Sequence, residues 1–573
     1  MEEKIMKKTC KKIFTVLLVT AMLTSLTACA GSQGDKPSPA PTSGAGAGTE
    51  TPADTAQTDP QWGAYDNPVK ITSAVQASAV QEFHEGDSYG DNEWTRLIKD
   101  TFNIDVEVAF SADITTDAYR NKMNVLLASG DLPDVLKFDD RNWLKQAIDA
   151  GYVMDISEVF DKYASDEVKQ YRVDYADAFE GVTYDDKLYA IPYMSNNFHQ
   201  CTNLWIREDW LKNTGMSAPT TIDEMVELAR VFKNGDPDGN GINGDTYGLC
   251  LADNVIQSNY GTIMGILEAY GVPCYGNNGI FYRNKEGKIT FSYIQPEAKK
   301  ALEVVRNMYQ EGLIDPEFMV KDTSKLETDW AQGTIGMSYH MNWGTWHPFN
   351  IIYEDQGVIT RPYPLPTADG YEVRQGVQSN QVGEYFVISS KCKNPEAIMK
   401  ILNLYEKTAI SGSEEDFKNY WADEQYRLSP IYIGIPTENF APQLLEALAA
   451  GSPGDLKGTA LQYYNYVKGF EDGSLANDAN AYGTWGQMFS EGSMKIDLDY
   501  QNNGQIVTNI MASAQPEIWI QNASVLGDLV KAAYLAIITG EKDLDYFDTF
   551  VQEWLNAGGQ ATLDEMEKLY PEN

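Results

Sequence analysis

The chain has 573 residues, of which 83 are acidic and 44 are Lys or Arg, giving a formal net charge of −39. That length is too great for one hydrophobic core and predicts two or more domains. Hydrophobic residues make up 43% of the chain and aromatic residues 12%, which excludes a mostly disordered protein. The acidic surface repels phosphate backbones and anionic headgroups, so the composition also excludes nucleic acid as a partner.

The first 28 residues have the layout of an export signal. Lysines between Lys4 and Lys12 precede the apolar run 13–19, and small residues then lead to Leu26-Thr27-Ala28-Cys29. The apolar run is too short to span a bilayer. Leu-Thr-Ala-Cys resembles the lipobox of bacterial lipoproteins, which implies cleavage before Cys29, a lipid thioether on its sulfur and N-acylation, for example by palmitate. Two or more acyl chains would give stable anchoring, and an ordinary signal peptide with an incidental cysteine is the alternative.

Residues 29–64 are rich in Gly, Pro, Ala and Thr, with almost no large apolar side chain before Trp62. This composition predicts a disordered tether. No later run is expected to be long enough to span a membrane.

Four cysteines remain in the body of the chain, and their spacing fits neither a zinc site nor a C-x-x-C motif. They are Cys201, Cys250, Cys274 and Cys392. Up to two disulfides in three possible pairings, or four buried thiols, are both compatible with the sequence.

Strands and helices alternate through the first half of the body. Apolar alternation predicts strands at 69–75, 104–110 and 135–138, and helical spacing predicts helices near 94–102 and 119–127. This order predicts a mostly parallel sheet covered by helices.

The later elements have clearer boundaries. Thr221 and Glu224 form a capping box that begins a helix through Phe232. Further helices are predicted at 296–309, 395–405 and 544–555, the last one ending at Gly558-Gly559, and strands at 333–339 and 385–388.

Several separated blocks resemble one known family. The blocks are 130–135 (GDLPDV), 189–192 (YAIP), 204–211 (LWIREDWL), 219–224 (PTTIDE), 236–241 (DPDGNG) and the closing segment 547–559. In this order they are similar to family 1 extracellular solute-binding proteins of bacterial ABC importers, especially the large lipoprotein branch that binds oligosaccharides.

That resemblance implies an α/β, two-lobed periplasmic-binding-protein-like fold (type II), with mostly parallel sheets, flanking helices and hinge crossovers. The N-terminal lobe is expected to comprise 65–197 plus about 358–430, and the C-terminal lobe 198–357 plus about 431–573. The resemblance further implies a monomer at the extracellular face of the cell membrane that binds an oligosaccharide in the interlobe cleft and delivers it to the permease subunits.

A sugar site needs flat aromatic rings for the C–H faces of pyranoses and polar side chains for their hydroxyl groups. Side chains of these types follow predicted strands, adjoin the expected first crossover or occur late in the chain. The predicted binding residues are Asp139, Asn142, Trp143, Tyr193, Asn196, Asn342, Trp343, Trp346, Tyr482 and Trp485. A position in the core is the alternative for each aromatic ring.

An acidic loop is the candidate metal site. Its first residues match positions 1, 3 and 5 of an EF-hand loop, and Gly241 supplies the sharp turn at position 6. The EF-hand glutamate at position 12 is replaced by Tyr247; the family resembled here often closes its calcium loop earlier, which implies Asp245 as the last ligand. The predicted ligands of a structural Ca²⁺ are Asp236, Asp238, Asn240, Ile242 and Asp245. A plain Asp/Asn/Gly turn is the alternative.

The common catalytic signatures are absent from the sequence. It contains four histidines and no H-E-x-x-H, G-x-S-x-G or Walker motif. A lipid-anchored glycoside hydrolase needs only two carboxylates about 5 to 10 Å apart, which sequence alone does not place. A surface carbohydrate-binding adhesin is a further alternative, but the residues favour a binding protein that is not an enzyme.

Overall fold

The computed structural model describes residues 59–571, apart from 78–82, 114–117, 195–200, 258–259, 278, 379–381, 435–436 and 512–515. The predicted signal segment, Cys29 and most of the predicted tether lie outside the described residues. Gln61 donates a hydrogen bond to the carbonyl of Ala164 at 2.8 Å, and Trp62 packs against an apolar core. The folded body therefore begins slightly before residue 65.

The strands are β1 Val69–Ala77, β2 Ile104–Asp113, β3 Val135–Phe138, β4 Thr183–Tyr184, β5 Lys187–Leu188, β6 Ile191–Met194, β7 Thr202–Arg207, β8 Tyr247–Leu249, β9 Phe281–Arg283, β10 Ile289–Phe291, β11 Ile335–Met341, β12 Thr360–Tyr363, β13 Gln375–Val377, β14 Val382–Ile388 and β15 Ile506–Thr508.

The α-helices are Glu93–Phe102, Ala118–Ser129, Arg141–Asp149, Ser157–Tyr163, Asp166–Asp174, Ala176–Glu180, Glu208–Thr214, Ile222–Asn234, Met264–Ala269, Pro296–Gln310, Thr323–Ala331, Phe349–Gln356, Pro395–Tyr405, Glu414–Tyr420, Ala441–Ala450, Gly458–Glu471, Ala479–Met488, Ser493–Asn502, Glu517–Thr539, Tyr546–Trp554 and Gln560–Leu569.

The first sheet has the strand order β2-β1-β3-β14-β6. β1 is parallel to β2 and β3, whereas β14 is antiparallel to β3 and β6. The chain leaves this sheet after β6 and returns at the start of β14, at the edge where β1 to β3 end. A strand that enters from the carboxyl edge must run away from it, so β14 is antiparallel and the sheet is mixed, whereas the order of elements predicts a mostly parallel one.

The second sheet has the order β12-β7-β11-β8 and is also mixed. β11 is antiparallel to β7 and parallel to β8, and β12 is antiparallel to β7. The pairing of β12 corrects a predicted boundary, because β12 belongs to the second sheet, and Leu365, Ala368 and Val373 pack with that sheet and not in the first lobe. The second crossover lies between Val377 and Val382.

Each sheet has its own apolar core. The first core includes residues from Ile71 to Met194 and from Tyr385 to Ile433. The second includes residues from Leu204 to Val373 and from Ile496 to Met566. A smaller cluster joins the helices between 441 and 488 to Cys201 and Val377, which flank the first two crossovers. The molecule thus has two lobes, and the late helices pack beside the crossovers.

The local sequence signals are confirmed where they involve only neighbouring residues. Thr221 and Glu224 form the predicted capping box, and Pro296 and Pro395 begin their helices. The predicted helix end at Gly558-Gly559 is observed as a break between two helices, since the helix Tyr546–Trp554 continues through a short π-helical segment to Gly558 and a further helix, Gln560–Leu569, follows directly. Gly558 has φ of +119° and makes a kink there.

One described helix, Glu517–Thr539, is long and apolar enough to cross a membrane. The sequence prediction overlooked it. Leu526, Val530 and Tyr534 are buried in the second core, and the Tyr534 hydroxyl donates to the carbonyl of Tyr293 at 2.8 Å. The helix is therefore part of the second lobe's core.

The four cysteines of the body are all buried free thiols. Of the two possibilities that the sequence leaves open, buried thiols are thus the one observed.

Candidate ligand-binding site

The two sheets place their candidate residues at the edges that adjoin the crossovers. In the first sheet β1, β2 and β3 end at this edge, and Asp139 follows β3 directly. In the second sheet Met341 at the end of β11 pairs with Thr202 at the start of β7, so the loop after β11 begins beside the first crossover. Ligands of open α/β sheets bind beyond such carboxyl edges.

The loop after β11 (residues 342–348, the tryptophan loop) carries two partly buried tryptophans, Trp343 and Trp346. Trp343 contacts the ring of His340 edge to face, with centroids 4.4 Å apart. Trp346 lies near Tyr463 of the helix Gly458–Glu471, with centroids 6.5 Å apart. Burial raises the pKa of Tyr463, and the neighbouring Tyr466 and Tyr193 raise it further. Tyr463 thus adds a third aromatic ring beside this loop.

The first sheet contributes Tyr193 and a buried ion pair. Glu384 of β14 is paired with Tyr193 across the strands, so both side chains lie on one face. The Lys137 ammonium contacts Glu384 at 2.6 Å and donates to the Tyr432 hydroxyl at 2.6 Å. Burial lowers the pKa of Lys137 to about 8, and the carboxylate of Glu384 opposes that shift. The side chain of Glu384 remains 26% exposed, so it can accept hydrogen bonds from a ligand.

Asp139 lies at the same edge of the first sheet. Burial raises its pKa, and the positive charge of Arg120 opposes that change. Asn142 is exposed on the first turn of the helix Arg141–Asp149. Trp143 is buried, and the Arg120 guanidinium lies over its ring, 5.3 Å from the ring centre.

The third crossover, between Ile433 of the first core and Ala441, packs directly against the first, which joins β6 to β7. A Cβ atom at Gly434 would lie 1.9 Å from the carbonyl oxygen of Met194, so only glycine allows this approach. Tyr432 contacts Tyr193 edge to face, with centroids 5.5 Å apart. The side chain of Tyr193 is therefore held at the junction of two crossovers.

Three predicted binding residues have interior partners in this structure. Asn342 is fully buried and donates to Asp497 at 3.0 Å. Tyr482 is fully buried, stacks on Tyr353 with centroids 4.1 Å apart, and donates to the carbonyl of Thr360. Trp485 stacks on Phe489 with centroids 4.6 Å apart. These contacts give them structural roles here, and Asn196 lies outside the described residues.

The structure adds Glu384 and Tyr463 to the candidate ligand-contacting residues, and it adds Gln487 as the acceptor of the Trp346 indole N–H. Glu384 had a signal in the sequence, because it is a charged residue at the start of an otherwise apolar strand. Tyr463 and Gln487 have no such signal, since the orientation of one residue on a helix depends on the neighbours that the fold provides.

The acidic loop is folded around its own polar groups. The Asn240 amide donates to Asp238 and Asp245, at 2.8 Å in each case, and Gly241 N–H donates to Asp236 at 3.0 Å. Burial raises the pKa of Asp238, and the nearby carboxylates add to this effect. The other carboxylate oxygen of Asp236 is buried and has no hydrogen-bond partner in the described part of the chain. Carboxylate oxygens, one of them unpaired, fit the donor set of a calcium ion.

A second group of possible metal ligands lies at the start of the helix Glu93–Phe102. Oxygen or nitrogen atoms of His84, Asp87 and Glu93 lie within 4.8 Å of one another. Arg96 already pairs with Asp87 at 2.8 Å and with Glu93 at 3.3 Å, so part of the negative charge is balanced within the protein.

A groove of about 560 Å³ lies on the second lobe between β9, β15 and the C-terminal residues. Arg283 in its wall donates to the carbonyls of Gly287 and Tyr570. Its guanidinium is thus used within the protein.

The fold and the sequence agree with one family. A family model described as bacterial extracellular solute-binding protein matches residues 86–409, which is more than half of the chain. Lipoprotein LipO of Bacillus subtilis (strain 168) is 23% identical over 464 residues, which cover 80% of this chain and 85% of LipO.

Two solved structures share the two-lobed fold. One is an HMO-binding, ABC-transporter-associated solute-binding protein from Bifidobacterium longum infantis, with 19% identity, a TM-score of 0.61 and coverage of 88% of this chain and 98% of that one. The other is the EF-hand mutant of the S. pneumoniae substrate-binding protein FusA with fructo-nystose, with 16% identity, a TM-score of 0.58 and coverage of 87% and 98%. Together with the extent of the family match, the fold shows that the chain belongs to the bacterial extracellular solute-binding proteins.

Proposed function

We propose that the protein binds an oligosaccharide between its two lobes as a monomer and delivers it, unchanged, to the permease of an ABC importer. The observation that carries the proposal is the pair of partly exposed rings, Trp343 and Trp346, at the sheet edge beside the crossovers. Flat rings suit the C–H faces of sugars, and Tyr193 and Glu384 on the other lobe provide a second ring and a hydroxyl acceptor. The bound fructo-nystose of FusA and the HMO binding of the Bifidobacterium protein support a sugar ligand.

Three crossovers between the lobes suit hinge closure around the ligand. The ligand drives closure only if it binds the closed state more tightly than the open one. A dissociation constant of about 1 μM, or about −8 kcal/mol, would allow both capture and release.

The binding site is tested by substituting Trp346. We expect Trp346→Ala to weaken binding of the sugar about tenfold, which corresponds to ~1.4 kcal/mol, because a stacking surface is lost. Isothermal titration calorimetry with kestose, raffinose, cellotriose, xylotriose and lacto-N-tetraose measures this. Trp62→Ala is the matched control, since Trp62 is also partly buried but packs beside Phe102 in the first lobe. Equal affinities of the Trp346 variant and the parent protein would remove this loop from the site.

The same mixtures distinguish a binding protein from a glycoside hydrolase. We expect a ligand-dependent rise in melting temperature and intact sugars in thin-layer chromatography. Shortened products would support the hydrolase and contradict delivery of an unchanged ligand.

We also propose that the loop 236–245 binds a structural Ca²⁺ through Asp236, Asp238, Asn240, the carbonyl of Ile242 and Asp245. The ion would neutralise the clustered carboxylates and use the unpaired oxygen of Asp236. The Asn240 amide would have to rotate, because its nitrogen faces Asp238 and Asp245 here.

Calcium binding is measured as a change in melting temperature. We expect Ca²⁺ to raise the melting temperature and a chelator to lower it in the parent protein, but neither effect in Asp236→Asn. Asp369→Asn, which removes an exposed carboxylate elsewhere in the lobe, is expected to keep the response. An unchanged melting temperature in the parent protein would indicate a metal-free turn.

We propose that the protein is attached to the extracellular face of the membrane through lipid on Cys29. The name of LipO, a lipoprotein, supports this. Cys29→Ser is expected to move the protein from the membrane fraction to the medium, and retention in the membrane would contradict lipid attachment.

A further inference from the structure

We infer that the helices Ala479–Met488 and Ser493–Asn502 position the tryptophan loop, with Gly483, Gln487 and Asp497 as the positioning residues. This inference rests on the proposed function, because it concerns how the proposed ligand-binding ring of Trp346 is held. None of the three residues is expected to touch the ligand.

Trp346 lies very close to the helix Ala479–Met488. A Cβ atom at Gly483 would lie 2.7 Å from the Trp346 ring, and one at Gly486 would lie 2.3 Å from the side chain of Thr345. Both distances are too short for real atoms, so only glycine at 483 and 486 lets the loop lie on the helix. The Thr345 hydroxyl also donates to the carbonyl of Gly483 at 3.0 Å.

A chain of hydrogen bonds starts at the Trp346 indole. Its N–H donates to Gln487 at 3.4 Å, and the Gln487 amide donates to Asn342 at 3.4 Å. Gln487 follows Gly483 by one helical turn, so the two residues share a face of the helix. Contact with the helix at Gly483 therefore fixes the position of the ring, and the hydrogen bond to Gln487 fixes its orientation.

Buried hydrogen bonds of Asn342 anchor the start of the loop. Asn342 donates to Asp497 at 3.0 Å, and its own carbonyl accepts a hydrogen bond from Ser493 at 2.5 Å. All three side chains are buried. Asp497 also accepts a hydrogen bond from Asn203 of β7 at 3.1 Å. The same carboxylate thus joins the start of the tryptophan loop to the strand that follows the first crossover.

These contacts explain a motif that the sequence analysis assigned differently. In the segment Tyr482-Gly483-Thr484-Trp485-Gly486-Gln487 the aromatic residues pack inside the protein, and the small and amide residues face the loop. The segment supports the binding site without contributing its aromatic rings.

The test is a double-mutant cycle between Gly483 and Trp346. We expect Gly483→Ala to displace the ring and to weaken binding of the five-sugar panel about tenfold. In the parent protein Gly483→Ala should also lower the melting temperature. In a Trp346→Ala background the added methyl group meets no ring, so Gly483→Ala should change neither the affinity nor the melting temperature. Gly469→Ala is the matched control, because its methyl would meet only the side chain of Leu475 in the neighbouring turn.

If Gly483→Ala does not fold, a milder substitution at Gln487 tests the same positioning role. Gln487→Met keeps the length of the side chain and removes the acceptor of the indole N–H. Its effect on affinity should disappear in a Trp346→Phe background, which lacks that donor, whereas a general structural defect would persist there.

The outcomes separate the inference from the proposed function. Affinity that falls with Trp346→Ala but not with Gly483→Ala or Gln487→Met overturns the positioning role alone, as do additive effects in the cycles. Affinity that is insensitive to Trp346→Ala overturns the proposed site and the inference together, as does a parent protein that binds none of the five sugars.

Discussion

The buried His340 predicts a specific loss of stability in acid. The side chain is fully buried in β11, stacked on Tyr260 with centroids 5.3 Å apart and in contact with Trp343. Burial lowers its pKa from 6.5 to about 3, and the charge of His347 adds to the shift. The neutral ring therefore carries its proton on Nδ1, which donates to the carbonyl of Met341 at 2.7 Å.

The sign follows from proton binding in the two states. Below pH 6.5 the unfolded chain protonates this histidine, whereas the folded protein does not until about pH 3. The unfolded state then holds more protons, so the free energy of unfolding falls as the pH falls through this window. Between pH 7 and pH 5 the contribution is about 2 kcal/mol, since each pH unit well below 6.5 corresponds to about 1.4 kcal/mol.

The assay compares urea unfolding of the parent protein and His340→Asn at pH 7 and pH 5. Asparagine keeps a donor for the carbonyl of Met341 and does not titrate. We expect the parent protein to lose about 2 kcal/mol more than the variant on acidification. His84→Asn controls for the loss of an exposed histidine. Equal losses in the parent protein and His340→Asn would refute the argument that burial keeps this ring neutral.

Three further predictions concern the first lobe and one helix cap. Glu384→Gln should weaken sugar binding about tenfold in calorimetry, because hydrogen bonds to a charged acceptor contribute about 1.5 to 3 kcal/mol, and an unchanged affinity would exclude Glu384 from the site. Lys137 loses its proton near pH 8 in the folded protein and near pH 10.5 in the unfolded chain, so between these values the unfolded state binds more protons and the free energy of unfolding rises with pH. In urea unfolding, the stability of the parent protein relative to Lys137→Met should therefore rise by about 2 kcal/mol between pH 8 and 9.5. A constant difference between the two proteins would contradict this. Thr221→Ala should cost about 1 kcal/mol of unfolding free energy, measured in the same way, since it removes the cap shared with Glu224; a stability equal to that of the parent protein would contradict the capping box.

Sequence patterns predict the elements whose cause is local. The capping box at Thr221, the proline helix starts and the apolar alternation of β2 depend on residues a few positions apart, and all are observed. The direction of β14 is different, because it depends on the edge at which the chain returns from the second lobe. No local pattern contains that information.

The sequence predicts which loop carries candidate ligand-contacting rings, but it does not predict which residues of that loop are accessible to a ligand. Trp343 and Trp346 are partly exposed after β11, as a ligand-contacting ring requires. Asn342 in the same loop is fully buried, and Asp497, which is 155 positions later, accepts one of its amide protons. Composition identifies residue types that suit sugars, but the partners that compete for those residues are distant in sequence.

The late helices therefore have a role that a two-lobe description omits. They pack outside both sheets, yet Asp497 contacts the tryptophan loop and the first strand after the crossover through two amide groups. A buried carboxylate is costly unless donors satisfy it, so both amides must be in place for the charge to be tolerated. The position of the loop and the position of β7 are consequently joined through one side chain, so under the proposed function the helix that carries Asp497 supports the ligand-binding loop.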